Sequence, residues 1–187
     1  MKKSRGSRIT IGGLGGTGKG SVSQLLSEEL GYNLMSAGRY FRDFADEEGV
    51  PTAVIEERAE VDPKYDRMVD ERTQEYGLVN NHFVFEGRLT WRFIEGVRIL
   101  LTCGLKERVG RIAVRDNLLF EQAMSTTEHR EEAAVKRYMK YYNIADITDP
   151  AYYEFVVDTT NITAVEATVK IITFLKLKDM YHPLRKQ

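Results

Sequence analysis

Apolar residues recur along the chain in two alternating rhythms. Ile9-Thr10-Ile11 is a short β-branched run that stops at Gly12-Gly13. From Lys19 onward Val22, Leu25, Leu26 and Leu30 fall at helical spacing, and Gly31 closes that helix. Residues 32–35 predict a second short strand, and residues 38–48 a helix ending at Gly49-Val50-Pro51. Two charged helices follow over 52–60 and 63–76, the second ended by Gly77. Residues 82–85 predict a third strand running into Glu86-Gly87-Arg88. Val97–Thr102 is the most apolar stretch, which fits a strand buried on both faces. Helices are predicted over 105–117 and 121–142, a last strand over 154–157, and a closing amphipathic helix over 164–177. Strands separated by helices predict a parallel sheet covered on both faces. The strandless helical stretch 38–76 is expected to stand outside that sheet as an insert.

Composition narrows the class. The 187 residues are 42% hydrophobic and 29% charged, enough for one domain with its own core. Net charge is -1, without the basic excess of a dedicated nucleic-acid binder. Cys103 is the single cysteine, so no intrachain disulfide is possible; a reducing, cytoplasmic setting is expected. No apolar run reaches the ~18 to 20 residues of a membrane span. The basic start, residues 1–7, is expected to be a flexible tail.

The chemistry begins after the first strand. Gly13-Leu14-Gly15-Gly16-Thr17-Gly18-Lys19-Gly20-Ser21 fits the phosphate-loop pattern at Gly13, Gly18 and Lys19. Gly20 takes the usual hydroxyl position, and the hydroxyl comes one residue later at Ser21. Such a loop turns backbone N–H groups and a helix N-terminus toward phosphates, and Lys19 adds a mobile charge for the β- and γ-phosphates. A dinucleotide-binding reading fails, because no acidic residue ends the second strand at Met35-Ser36.

Ligands of parallel sheets sit at the carboxyl ends of the strands. Arg42 follows the second strand and Arg88 the third, so both are expected at one crevice, where guanidinium forks suit a terminal phosphate. Asp66, Asp70 and Arg72 could read a base, or form a solvated helix face. Arg108, Arg111 and Arg115 share one helix face, and Arg130 and Arg137 another. The polar stretch 116–129 between them, with Ser125-Thr126-Thr127, is expected to close as a lid. Glu107, Glu131 and Glu132 are candidate counter-ions. His82, His129 and His182 are scattered, without a metal-ligand pattern.

Several segments resemble cytidylate kinases of the short archaeal type: Leu34-Met35-Ser36-Ala37-Gly38 with Phe41-Arg42, Asp70-Glu71-Arg72, Phe85-Glu86-Gly87-Arg88-Leu89, and Arg130-Glu131-Glu132 with Lys136-Arg137-Tyr138. The resemblance runs from about Ile9 to Ala164. It implies one P-loop kinase domain over 1–187, a three-layer α/β/α fold on a five-stranded parallel sheet. A helical monophosphate-binding insert (about 36–78) and a short arginine-bearing lid (about 116–137) complete it. It implies ATP, magnesium and transfer of the γ-phosphoryl to CMP or dCMP. Residues 13–21 would hold the donor, with Arg111 on adenine. Ser36, Gly38, Arg42, Asp70, Arg72 and Arg88 would hold CMP. Lys19, Arg115, Arg130 and Arg137 would act on the transferring group, and Ser21 and Glu86 would stand near the metal. Ala133 and Val135 depart from the more polar residues often found in relatives. No general base is needed, since a phosphomonoester is already anionic at pH 7. Other acceptors (AMP, UMP, dephospho-CoA, a hydroxyl compound) and a non-catalytic nucleotide-binding module are the alternatives. A monomer acting on small nucleotides, without nucleic acid or membrane, is expected.

Overall fold

A computed structural model describes residues 7–184. Five parallel strands form one sheet in the order β2-β3-β1-β4-β5: β1 Arg8–Gly12, β2 Asn33–Ser36, β3 Phe83–Glu86, β4 Val97–Thr102 and β5 Phe155–Asp158. β1 is central and buried along its whole length, which suits its β-branched run. Alternation along β3 shows how the faces divide. Val84 points into a core with Ile9, Ile11, Ile99 and Leu101, covered by α1 (Lys19–Leu30) and by α8 (Ala164–Leu177). Phe83 and Phe85 point the other way, under the insert.

The insert is α2 (Ala37–Glu48), α3 (Thr52–Val61) and α4 (Pro63–Val79), and it contributes no strand to the sheet. It does not stand wholly apart, however. Tyr40, Phe44, Ile55, Tyr65 and Val69 share one buried cluster with Phe83 and Phe85, so its core is continuous with one face of the sheet. α4 also runs past Gly77 rather than ending there. Gly77 is a packing residue, since a Cβ on it would stand 2.9 Å from Ile94 Cγ1. A short helix that the pattern did not predict, α5 (Thr90–Phe93), follows β3.

The segment expected to act as a lid lies on two successive helices. α6 (Leu105–Asp116) ends at Asn117 in the left-handed conformation, and α7 (Phe120–Tyr142) begins three residues later. Residues 121–129 are therefore helical, as the prediction over 121–142 has them. Ala123 and Thr127 are buried, with Ala123 against Val109 and Ile112 of α6. The pair is a packed helical hairpin. Of the expected tail 1–7, Ser7 alone is described and is buried; residues 1–6 lie outside the described residues. No helix among the described residues is long and apolar enough to cross a membrane.

Candidate functional site

The loop between β1 and α1 is shaped by close approaches that only glycine permits. Gly13, Gly16 and Gly18 have φ of 141°, 78° and 86°. A Cβ on Gly13 would lie 2.4 Å from the Leu101 carbonyl oxygen, and one on Gly16 would lie 2.5 Å from that of Arg108. Thr17 Oγ1 and Lys19 Nζ both donate to the Leu14 carbonyl, at 2.9 and 2.7 Å, which closes the loop on itself. Gly18 caps α1 without a side-chain bond, so the first amides of the helix are left for a ligand. Burial pulls the Lys19 ammonium down to about 8. Glu86 opposes that shift, while Arg88, Arg108 and Arg115 reinforce it. A polyanion in the loop reverses the balance. Nothing in the chain crowds Gly20, and Ser21 is exposed in the first turn of α1.

Beside the loop lies a cleft of about 310 Å³ between the sheet, the insert and α7. Gly15 and Lys19 of the loop line it. Gly38, Asp70 and Arg88 line it as the sequence suggested, together with Glu86. Arg42 is not part of the wall, but its Nη1 lies 3.7 Å from the position of a Cβ on Gly38, at the rim. Ser36 ends β2 and its Oγ lies 3.4 Å from that same position. Gly87 lets the two strand ends meet, since a Cβ there would lie 2.8 Å from both Ala37 Cβ and Thr90 Cγ2.

Arg72 is the correction among the acceptor residues. It points away from the cleft, lies 4.3 Å over the Phe44 ring and pairs with Glu47 Oε1 at 3.2 Å. It joins α4 to α2, because Asp66 and Asp70, one turn apart, occupy the cleft-facing side of α4. Asp70 accepts a hydrogen bond from Tyr142 Oη, and burial pushes its carboxyl up to about 7. Asp66 is raised too, by burial, against Arg137 and Arg88. Phe41, Phe93, Tyr138 and Tyr142 supply flat apolar walls. Phe93 and Tyr142 gave no sequence signal, since an aromatic at helical spacing reads equally well as core.

The arginines of α6 and α7 divide into distinct roles. Arg108 is buried and donates to the carbonyls of Gly15 and Cys103, at 3.1 and 3.2 Å. It also forms a two-pronged pair with Glu131 of α7, at 2.5 and 3.2 Å. It therefore locks the phosphate loop to the hairpin. Arg111 pairs with Glu107 and donates to the Thr159 carbonyl at 2.7 Å, flanking Gly16 and Gly18. Arg115 is mostly exposed and forks onto Asp116, at 2.7 and 2.8 Å. It stands outside the cleft wall but close enough to bear on Lys19. Arg130 and Arg137 do line the cleft. Arg137 is largely buried, with Nε 3.2 Å from Asp66 Oδ2.

Among the described residues no cluster of three or more His, Cys, Asp or Glu could hold a metal on its own. That suits magnesium, which keeps its waters and takes phosphate oxygens in place of an all-protein cage. Glu86, in the cleft wall with Lys19, and Ser21, in the first turn of α1, are the protein groups that would stand beside it. The start of α1, which has no side-chain cap, likewise fits a nucleotide polyphosphate.

A model of the cytidylate kinase-like family matches residues 8–161. The cytidylate kinase of Methanosphaerula palustris is 43% identical over 155 residues, covering 81% of this chain and 88% of that protein. The cytidylate kinase of Saccharolobus islandicus is 36% identical over 172 residues, covering 90% of each. Among solved structures, shikimate kinase from Acinetobacter baumannii in complex with shikimate superposes with a TM-score of 0.64 at 16% identity, over 92% of this chain and 94% of that one; this likeness concerns the fold. The chain belongs to the cytidylate kinase-like family.

Proposed function

We propose that this member of the cytidylate kinase-like family transfers the γ-phosphoryl group of ATP to CMP or dCMP, giving ADP and the cytidine diphosphate. The observation that carries the reading is one cleft with the phosphate loop and Lys19 at one end, Arg88 in its wall and Arg42 at its rim. The names of its relatives support the choice of cytidylate. In this reading the loop amides and Lys19 hold the β- and γ-phosphates, and Arg111 flanks the adenine side. Arg42 and Arg88 hold the acceptor phosphate, and Ser36 and Gly38 lie beside its nucleoside. Asp70, set between Tyr142 and the aromatic walls, faces the base. Magnesium, when bound beside Ser21 and Glu86, neutralises charge on the donor phosphates. Arg130 and Arg137 stabilise the charge that spreads over the equatorial oxygens in flight, with Arg115 at the periphery.

Arg88→Ala and Arg42→Ala test the acceptor end. Each should raise KM for CMP at least ten-fold more than KM for ATP. Cytidine, which lacks the phosphate, should not be phosphorylated. Equal effects on both substrates contradict the assignment.

A further inference from the structure

Two side-chain pairs join the insert to α7 across the cleft: Asp66 with Arg137, and Asp70 with Tyr142. The pairs differ in quality. Tyr142 donates a hydrogen bond to Asp70. Arg137 Nε stands 3.2 Å from Asp66 Oδ2, yet neither atom makes a well-aligned hydrogen bond, and both are sealed from solvent. Charge alone therefore holds this pair. A buried ion pair without aligned hydrogen bonds keeps its desolvation cost and gains little in return. It yields readily to an anion that offers arginine a better-aligned contact. Arg88 faces the same carboxylate and also lines the cleft. An acceptor phosphate entering there carries nearly two negative charges and competes with Asp66 for both arginines.

We propose that Asp66 is a positioning residue that withholds Arg137 from the phosphoryl path until an acceptor phosphate enters the cleft. The inference rests on the reading above only in placing Arg137 at the transferring group. Its consequence is protection of ATP. If Arg137 reached the γ-phosphate in the absence of acceptor, water would be the available nucleophile. Its oxygen would bond to the γ-phosphorus and the bond to the β,γ-bridging oxygen would break. ADP would leave with the electron pair, and the proton of water would pass to solvent. A carboxylate that claims Arg137 until the acceptor displaces it disfavours that loss.

The test is acceptor-free ATP hydrolysis by wild type and Asp66→Asn, with CMP phosphorylation by both. Asp66→Asn should raise acceptor-free hydrolysis about five-fold or more, and adding Arg137→Ala in the same chain should cancel the rise. A merely structural role for Asp66 would lower hydrolysis and transfer together, which overturns the proposal. Should CMP not be phosphorylated while hydrolysis still rises, the acceptor is wrong and the restraint stands. Should CMP be phosphorylated with hydrolysis unmoved, the restraint is wrong. A wild-type measurement guards against a variant that does not fold. The Arg137 Nε–H resonance, assigned by its loss in Arg137→Lys, should shift on adding CMP and not on adding a non-hydrolysable ATP analogue alone. A shift with the analogue alone overturns the proposal.

Discussion

Burial draws the Lys19 ammonium down to about 8, against the pull of Glu86. A nucleotide polyphosphate in the loop restores its charge, so ATP binding near pH 8 to 9 should take up a proton. Calorimetry in buffers of different ionisation enthalpy reads that uptake, which should vanish in Lys19→Ala. The same variant should lose ~10²-fold in kcat, since one preorganised electrostatic donor contributes roughly 3 kcal/mol to a transition state. Undiminished turnover contradicts the role. Arg72 makes the opposite case. Its guanidinium lies on Phe44 and pairs with Glu47, outside the cleft. Arg72→Ala should cost about 1 kcal/mol of stability in a thermal melt and leave KM for CMP within two-fold. Its number in a charged run did not distinguish it from Asp66 and Asp70; only the direction of the side chain from α4 does.

Between elements, α4 and α7 face each other through carboxyl groups that burial raises. Asp70 holds its proton in the fold up to about pH 7, while the unfolded chain loses it near the ordinary carboxylate value of about 4. The folded state therefore binds more protons across that window, and stability falls as pH rises through it. Asp70→Asn should flatten the fall in urea midpoint between pH 4.5 and 7.5; an unchanged slope refutes the cause. The α7 arginines also separate. Arg130→Ala and Arg137→Ala should each lower kcat at least ten-fold with ATP affinity within a few-fold. Arg130→Ala should keep its melting temperature, because the residue is exposed at the cleft. Arg137→Ala should melt lower, at a cost of about 2 kcal/mol, because it leaves the buried Asp66 carboxyl with Arg88 as its remaining cationic neighbour. A melt that does not separate the two contradicts the pairing. The sequence placed both arginines on one face, yet their different burial depends on how α7 meets α4, which no local pattern records.

Over the whole molecule, periodicity was a sound guide wherever an element buries one clear face. β1, α1, β4 and α8 begin and end close to the positions that their apolar spacing predicts. It also held over 121–142, where α7 carries the polar run Ser125-Thr126-Thr127 inside a helix. It failed where a glycine was taken for a stop, as at Gly77, which packs on Ile94. The phosphate loop was legible because glycine, lysine and spacing together leave few other uses for nine residues. The aromatic walls of the cleft were not, because Phe93 and Tyr142 come from distant elements that only the fold brings together.

The central claim is that this cleft accepts a cytidine monophosphate and passes it the γ-phosphoryl of ATP. ADP release from ATP and magnesium, measured with each nucleoside monophosphate in turn and with shikimate, tests it most directly. The account predicts that CMP or dCMP gives the highest kcat/KM, with CDP or dCDP formed in equal amount to ADP. Preferred turnover of AMP, GMP or a hydroxyl compound such as shikimate, or ADP release without a diphosphate product, would contradict it.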